Sequence, residues 1–416
     1  MASDGWRSMA LREFVCLQRG HDLPDQRRTP GKVPILGSFG ITGYHDTSKA
    51  KGPGVTIGRS GASFGIVSYS PVDYWPLNTV LYVTNFNGND EKFVYYFLKS
   101  IDFTRFNSGS AQPSLNRNYI YPIIVNIPPP TEQRAIAHIL GTLDDKIELN
   151  RRTNETLEAM ARAIFKSWFV DFDPVRAKVD GRWCRGESLP CLPAYLWDLF
   201  PDQLVDSELG EIPEGWECGS LGDVAIHPRR GVQPSEIDLS TPYFALEHMP
   251  KRCIALTDWE TAEGLESNKF EFKKGEILFG KLRPYFHKVG VAPVGGICST
   301  DIVVVTGRTP KWFGYVLEHI SSNSFVEYTN AGSTGTKMPR TSWSEMARYS
   351  VVMPPELVAE AYTKQIQPLV DHIIASIHES RTLAALRDAL LPKLISGVLR
   401  VKDAERRVIQ ALEIPY

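Results

Sequence analysis

The 416-residue chain lacks several features that define common functional classes. No apolar run approaches the roughly 20 residues that span a bilayer, and the N-terminal stretch MASDGWRSMALREF contains no hydrophobic signal segment. The six cysteines never form a C-x-x-C pair, and a disulfide framework is not expected in a chain of this length. We therefore expect a cytoplasmic protein with reduced thiols.

No excess of basic residues is present either. Lys and Arg total 46 against 48 for Asp and Glu, so the total charge does not indicate a nucleic-acid partner, although basic faces can be hidden in such an average. The nine histidines include no H-x-H or H-x-x-x-H pair and do not cluster with the cysteines. We expect no metal site.

Two motifs of nucleotide and methyl-transfer chemistry are present only in incomplete form. GEILFGKL (residues 275–282) fits G-x-x-x-x-G-K, but Leu282 stands where a phosphate-binding loop needs Ser or Thr. DFDPV (171–175) faintly resembles the Asn/Asp-Pro-Pro-aromatic motif of amino-methyltransferases, but the second proline and the aromatic residue are missing. We predict a chain that is not itself an enzyme and binds no cofactor of its own.

What the sequence does contain is a repeat, which is clearest in two proline-led helical segments. IPPPTEQRAIAHIL (127–140) and VMPPELVAEAYTKQI (352–366) each place prolines before an apolar stripe, where they fix the start of a helix. Heptad spacing predicts a coiled-coil seam in both segments. Its apolar positions are Ile136, Leu140, Leu143, Ile147, Leu157, Ile164 and Trp168 in the first, and Ile366, Leu369, Ile373, Leu383, Leu390 and Leu394 in the second.

The two seams are related by a constant offset of 226 residues. The offset also relates a polar interruption, because Asn150 and Asn154 correspond to Ser376 and Ser380. Two unrelated amphipathic helices are the alternative, and they would explain neither coincidence. Arg387 departs from the apolar pattern, and Pro368 should kink the second helix or mark its true first turn.

The repeat extends beyond the helices. FVYYFLKSI (93–101) matches WFGYVLEHI (312–320), GVTIGRSG (54–61) matches GEILFGKLR (275–283), and LREFVCLQRG (11–20) matches LGDVAIHPRRG (221–231). We predict an α+β fold with two pseudo-symmetric mixed α/β globular domains separated by two long helices that form an antiparallel coiled coil. The expected boundaries are 1–127 (first domain), 128–170 (central helix), 171–210 (connector), 211–353 (second domain), 354–400 (C-terminal helix) and 401–416 (tail).

This architecture favours recognition of a linear polymer. A helix of about 40 residues measures roughly 60 Å, and a rigid spacer between two diverged modules suits the reading of two short sequences on DNA, where protein geometry sets the half-site spacing.

The residues then show a family resemblance. PPPTEQRAIAHILGTLDDKIELNRRTNETLEAMARAIFKSWFVDFDPVRAK resembles the central region of specificity subunits of Type I restriction-modification systems, and LFPDQLVDSELGEIPEGW resembles the entry into their second recognition domain. The first domain lacks the PEGW-type lead-in. The resemblance implies two target-recognition domains that read a split, asymmetric DNA site across an unread gap.

The resemblance also implies the partners of the chain. Two methyltransferase (modification) subunits would dock on it, motor-nuclease (restriction) subunits would join for cleavage, and S-adenosylmethionine, ATP and magnesium would be bound by these partner subunits. No membrane is implied.

DNA contacts are predicted in loops that contain Gly or Pro, because there the backbone approaches DNA closely. Lys and Arg would meet phosphates, while Arg, Asn and Gln can also reach base edges. The candidates are Tyr44, Lys49, Lys51, Arg59, Gln112, Asn116 and Arg117 in the first domain, and Arg229, Arg230, Lys281, Arg283, Tyr285, Lys337 and Arg340 in the second. For each of them, a solvated surface charge is the alternative. Arg59 and Lys281 are favoured because the repeat places them beside equivalent glycines.

Apolar residues outside the seam are predicted to meet a partner helix. They include Ile139, Leu149, Met160, Phe165 and Phe169, of which Phe165 and Phe169 are the main docking candidates; packing on the chain's own domains is the alternative. Two other function classes stay open. A single-chain DNA-modifying enzyme would transfer labelled methyl groups to DNA unaided, and a protein-binding coiled-coil scaffold would assemble without DNA dependence.

Overall fold

The computed structural model describes residues 5–109, 113–335 and 338–412. The N-terminal part forms short strands and helices and ends in a long helix. Its elements are β1 (Arg7–Ala10), α1 (Leu11–Phe14), β2 (Cys16–Arg19), β3 (Val33–Gly37), β4 (Gly40–His45), β5 (Gly54–Gly58), β6 (Val67–Ser70), β7 (Trp75–Pro76), β8 (Val80–Asn85), α2 (Glu91–Lys99), α3 (Arg117–Ile120), β9 (Ile124–Ile127) and α4 (Pro130–Phe169).

The C-terminal part follows a similar order after a connector. Its elements are α5 (Asp173–Val179), β10 (Leu204–Ser207), β11 (Gly210–Pro213), β12 (Glu217–Ser220), α6 (Leu221–Val224), β13 (Ala225–Ile226), β14 (Gly231–Val232), β15 (Pro242–Phe244), β16 (Glu260–Thr261), β17 (Lys269–Phe272), β18 (Ile277–Gly280), β19 (Val289–Val291), β20 (Gly296–Cys298), β21 (Ile302–Gly307), α7 (Phe313–Ser321), α8 (Asn323–Ala331), α9 (Trp343–Met346), β22 (Ser350–Met353), α10 (Glu356–Ile395) and α11 (Val401–Leu412).

The sheets show the repeat directly. A four-stranded sheet has the order β2-β8-β5-β6 in the first copy and β13-β21-β18-β19 in the second, and in each copy a two-stranded sheet (β1 with β9, β12 with β22) precedes the long helix. The registers also agree, because Gly58 lies opposite Val80 and Gly280 lies opposite Ile302. The remaining sheets differ: β4-β3-β7 in the first copy, and β14-β17-β20-β15-β16 in the second.

The two long helices are equivalent at both ends. Each has 40 residues, and an offset of 226 converts 130 to 356 and 169 to 395. Pro130 is the first residue of α4, whereas Pro354 and Pro355 immediately precede α10. Pro368 lies inside α10, so the expectation that it marks the first turn is wrong.

The chain divides into two compact units. Unit 1 comprises Met1–Ile147 and Thr382–Tyr416, and unit 2 comprises Glu148–Arg381, so each long helix contributes one segment to each unit. In unit 2 the Tyr362 hydroxyl donates to the carbonyl of Ala161 (3.0 Å). There the Asn150 amide also donates to the Ser380 hydroxyl (3.2 Å). As the residue number rises along α4 it falls along α10, and the two segments are therefore antiparallel.

The polar interruption and Arg387 both have partners across the helix pair. Besides Ser380, the Asn150 amide donates to the carboxylate of Glu379 (2.6 Å), as expected for buried polar groups in a helix pair. In unit 1 Arg387 donates to the Asp144 carboxylate (2.5 Å), whose other oxygen accepts from the Tyr96 hydroxyl (2.6 Å). Arg387 therefore replaces an apolar seam position with an ion pair.

The seam residues lie in the cores of their own units. Ile136, Leu140, Leu143, Leu383, Leu390 and Leu394 are buried in unit 1, where Ile147 packs against them; Trp168, Ile366 and Ile373 are buried in unit 2, where Leu157, Ile164 and Leu369 are partly buried. The connector adds Trp183, Leu196 and Phe200 to the unit 2 core. Within the described part of the chain, no helix combines the length and apolar character needed to cross a membrane.

Candidate nucleic-acid interface

The two favoured basic residues occupy the same structural position. Arg59 and Lys281 each follow the glycine that ends a central strand, β5 or β18. The Arg59 N–H donates to the carbonyl of Thr79 (2.8 Å), and the Arg59 carbonyl accepts from the N–H of Leu115 (2.8 Å). Lys281 repeats both bonds, with Asp301 (2.9 Å) and Thr341 (3.1 Å). The main chain at both residues is thus held from two sides.

The loop before α3 and its counterpart before α9 are also equivalent. Ser114 forms a β-bridge with Ser60 in unit 1, and Arg340 forms one with Leu282 in unit 2. Asn116 and Ser342 then cap the short helices: each side chain accepts a hydrogen bond from the backbone, at Asn118 and Glu345 respectively. These contacts bring a second loop alongside the basic residue in each unit.

In unit 1 the two loops border a cleft of about 650 Å³. Three predicted contacts, Arg59, Asn116 and Arg117, line it together. An unpredicted fourth polar residue, the exposed Arg19 at the end of β2, also lines it. One Arg117 nitrogen donates to the carbonyl of Leu17 (2.8 Å), which orients the guanidinium over β2. The cleft therefore collects three arginines and one asparagine.

In unit 2 a smaller cleft of about 270 Å³ lies at the same place. Arg229 and Lys281 line it, and they correspond to Arg19 and Arg59 by offsets of 210 and 222 residues. The lining positions Val303, Thr341, Ser342 and Trp343 likewise correspond to Leu81, Leu115, Asn116 and Arg117. Each unit therefore contains a cleft with two basic residues at equivalent positions, and Trp343 replaces the third arginine in unit 2.

His227 gives the second cleft a neutral polar wall. Burial lowers the pKa of His227, although its hydrogen bond to the carbonyl of Val304 (2.7 Å) opposes the shift. The positive charge of the cleft consequently comes from Arg229 and Lys281. These are the groups that suit a polyanion such as a nucleic-acid backbone.

Arg19 was missed by the sequence reasoning, yet the sequence contained the information needed to find it. The alignment of LREFVCLQRG with LGDVAIHPRRG places Arg19 opposite Arg229, which was a candidate. Transferring each candidate to its repeat partner would have identified the residue.

Other predicted contacts of unit 1 lie outside the cleft. Tyr44 is exposed on β4, Lys49 places its ammonium 5.3 Å from the centre of the Trp75 ring, and Lys51 forms an ion pair with Asp73 (3.0 Å). The Asn116 side-chain oxygen is used by the helix cap, which leaves its amide N–H groups to face the cleft. Gln112 lies outside the described residues.

The remaining candidates of unit 2 are also dispersed. Arg230 is a correction, because its guanidinium is committed to a largely buried ion pair with Glu276 and is not free for DNA. Arg283 adopts a left-handed conformation (φ 52°), Tyr285 is exposed, and Arg340 pairs with Asp301 (3.1 Å). Lys337 lies outside the described residues.

The prediction that Phe165 and Phe169 dock a partner is wrong. Their side chains are only 6% and 5% exposed, because both pack in the unit 2 core. The Phe169 ring lies 5.0 Å from Tyr315 and 5.1 Å from Tyr362. Ile139 is likewise buried, in unit 1. The packing alternative therefore holds for these residues.

Leu149 and Met160 remain exposed on α4. They are eleven residues apart, close to three helical turns, so they lie on one face. Ala159 and Ala163 are exposed beside Met160.

Comparisons with known proteins agree with the duplicated cleft. Residues 3–159 match the protein-family profile described as "Type I restriction modification DNA specificity domain". The MjaIX specificity subunit of Methanocaldococcus jannaschii is 26% identical over 332 residues, which cover 76% of this chain and 71% of that protein. The HindI specificity subunit of Haemophilus influenzae is 24% identical over 383 residues, covering 78% and 82% respectively.

A solved structure shows the same fold. The crystal structure of a Type I restriction-modification S subunit from M. genitalium aligns with 95% of this chain and 97% of its own, with a TM-score of 0.56 and 15% sequence identity. The predicted fold class, with its long helices at 130–169 and 356–395, is confirmed. The chain belongs to the family of specificity subunits of Type I restriction-modification systems.

Proposed function

We propose that this chain is the DNA-reading subunit of a Type I restriction-modification complex and that it recognises a bipartite, asymmetric target. The observation that carries the proposal is the basic cleft repeated at equivalent positions in both units, with Arg19 and Arg59 in one and Arg229 and Lys281 in the other. Equivalent cations would hold the phosphates of each half-site. The positions that differ, such as Arg117 and Trp343, would then distinguish the bases.

The unread spacer would be set by the long helices. Both α4 and α10 run for 40 residues and contribute to both units. Inserting seven residues into each helix, after Ile147 and after Arg381, adds two helical turns, or about 10.5 Å. We expect the recognised spacer to lengthen by about three base pairs, given one base pair per roughly 3.4 Å. Methylation mapping would reveal an unchanged spacer if the helices have no such role.

Methyltransferase subunits would dock on the exposed face of α4 that carries Leu149, Ala159, Met160 and Ala163. Supporting this assignment, the face is apolar, and among the described residues neither Leu149 nor Met160 belongs to a core cluster. The double variant Leu149→Asp with Met160→Asp should lose co-purification with the methyltransferase but keep its unfolding midpoint. Thr156→Asp, one turn from Met160, provides the matched charge control for a contact limited to the apolar positions.

Catalysis would belong to the partners, with S-adenosylmethionine on the methyltransferase subunits and ATP and magnesium on the motor-nuclease subunits. Methylation mapping in cells that carry this chain and its methyltransferase tests the central claim. Arg19→Ala with Arg59→Ala should relax or abolish one half-site only, and Arg229→Ala with Lys281→Ala the other. Arg105→Ala, an exposed charge outside the clefts, is the control. Identical methylation by all variants would overturn the proposal.

A further inference from the structure

A hairpin beside the unit 1 cleft exposes an aromatic residue at its tip. Strands β3 and β4 are joined by Ser38 and Phe39 alone, with Gly37 opposite Gly40. Two-residue hairpin turns favour Gly, Asn and Asp. Phe39 is instead a large apolar residue whose side chain is 78% exposed. Nothing in the turn geometry calls for an aromatic ring at this position.

Two further exposed residues extend the apolar surface along β4. The strand register passes from Ile35 opposite Gly43 to Leu36 opposite Ile41, so Thr42 is the extra residue of a β-bulge. The bulge restores the alternation of faces and places Ile41 and Tyr44 on the same side of the strand. Both side chains are exposed.

The hairpin tip is anchored to the backbone that supports Arg59. The Ser38 hydroxyl donates to the carbonyl of Thr79 (2.8 Å), and the same carbonyl accepts from the N–H of Arg59 (2.8 Å). A Cβ on Gly58 would lie only 2.8 Å from the carbonyl oxygen of Ser38, so glycine is needed for this approach. Phe39 therefore projects immediately beside the basic cleft.

The second copy lacks this device. Leu36 pairs with Pro76 in the first copy as Phe244 pairs with Cys298 in the second, and Glu247 thus occupies the position of Phe39. After β15 the chain forms a 3-10 turn (Leu246–His248). The repeated frame folds without the hairpin tip, so the apolar tip serves something particular to unit 1.

We propose that Phe39 is a wedge that stacks on, and partly separates, one base step of the half-site read by unit 1. Apolar side chains at protein–DNA interfaces insert between base steps in this way, and flanking arginines hold the adjacent phosphates. Arg59 and Arg19 are placed for that second role. The inference rests on the proposed function, because it assigns the DNA that the cleft binds to a distorted conformation.

The test uses the complex of the full chain with its methyltransferase subunits and the duplex identified by methylation mapping. The fluorescent base 2-aminopurine is placed in turn at each step of the unit 1 half-site. Wild-type complex should raise the fluorescence at one step. Phe39→Ala should abolish that rise and weaken binding by about 10-fold, within the range measured for base–aromatic stacking, and Phe39→Trp should retain both.

Tyr195→Ala is the matched control, because Tyr195 is 74% exposed on the connector of unit 2; it should behave as wild type. Unchanged affinity and silent fluorescence in Phe39→Ala would overturn the wedge while leaving the proposed function intact. Loss of methyltransferase co-purification without DNA would also overturn it, as the hairpin would then contact protein. A wild-type complex that assembles but binds no duplex would instead contradict the proposed function, and the wedge with it.

Discussion

Unit 1 and unit 2 build the same turn from different residues. After Arg59 the unit 1 chain adopts left-handed conformations at Gly61 and Gly65. The equivalent positions of unit 2, 222 residues later, are Arg283 and His287, each with φ near 52°. A residue with a Cβ is disfavoured in this conformation by roughly 1–2 kcal/mol. The turn is therefore a requirement of the shared frame and not of the local sequence.

Unit 2 keeps these strained residues because neighbouring contacts fix the backbone. The Arg283 N–H donates to the carbonyl of Pro339 (2.7 Å), and His287 Nε2 is hydrogen-bonded to the carbonyl of Ser321 (2.9 Å). Burial lowers the pKa of His287, which keeps the ring neutral where it contacts this carbonyl. Side chains have changed around a main chain that has not, and the following changes test that difference from the largest expected effect to the smallest.

Removing the Phe169 ring should affect unit 2 most strongly. Phe169→Ala leaves a cavity among Tyr315, Tyr362 and Trp216, and such truncations cost about 3–5 kcal/mol. Hydrogen exchange under mild denaturant should show protection lost first in residues 148–381. Met160→Ala, on the exposed face of the same helix, should cost less than about 0.5 kcal/mol. Equal effects of the two variants would mean that Phe169 is not a core residue.

The pH dependence of stability should also distinguish the units, because Glu318 of unit 2 stands where unit 1 has Tyr96. Burial raises the pKa of Glu318 from 4.5 to about 8, with Glu158 adding to the shift and Arg162 opposing it. Between these values the unfolded chain ionises the carboxyl while the folded chain keeps it protonated. The free energy of unfolding contributed by Glu318 is therefore full below pH 4.5 and declines toward pH 8, by at most about 1.4 kcal/mol per pH unit.

Glu318→Gln should flatten this decline and give its largest relative stabilisation at pH 8, as measured by denaturant titration at several pH values. Glu327→Gln, at an exposed position on α8, is the control and should leave the slope as in wild type. A slope in Glu318→Gln that matches wild type would show that Glu318 is not the group responsible.

The third difference concerns Arg117 and its counterpart Trp343. Arg117→Ala should weaken binding of the cognate duplex by about 1–3 kcal/mol and reduce the slope of log affinity against log salt by about one, because one phosphate contact is lost. Trp343→Ala should weaken binding without changing the slope, since the indole carries no charge. Salt titrations of both variants would reveal any reversal of this pattern.

Arg283→Gly should give the smallest effect, a stabilisation of about 1 kcal/mol from relief of the left-handed conformation. The matched change Gly61→Ala in unit 1 should destabilise, because it introduces a Cβ at the same conformation (φ 81°). Thermal unfolding of the two variants would test this; shifts of the same sign would show that the two turns are not equivalent.

Much of the architecture followed from the sequence because duplication leaves a periodic record. The constant offset of 226 identified both long helices, and the prolines before residues 131 and 356 located their starts. The equivalence of Arg59 and Lys281 also followed, because each comes directly after a glycine in an aligned strand.

The errors arose where three-dimensional packing adds a second partner. Heptad analysis considers only the face of α4 that meets α10, and so it left Phe165 and Phe169 free although the domain core covers their face as well. Arg230 was a plausible contact until Glu276 was brought to it from a distant strand. The Phe39 turn carried no recognisable motif, because exposure of a tip residue depends on the bulge and on its anchorage at Gly58.

The doubly held backbone at residues 59 and 281 has an evolutionary implication. Since neighbouring main-chain groups on both sides fix the path of the chain there, the side chain can be exchanged without remodelling the loop. New target words can then arise through single codon changes, and a host can diversify its self-labelling pattern while inheriting a finished scaffold.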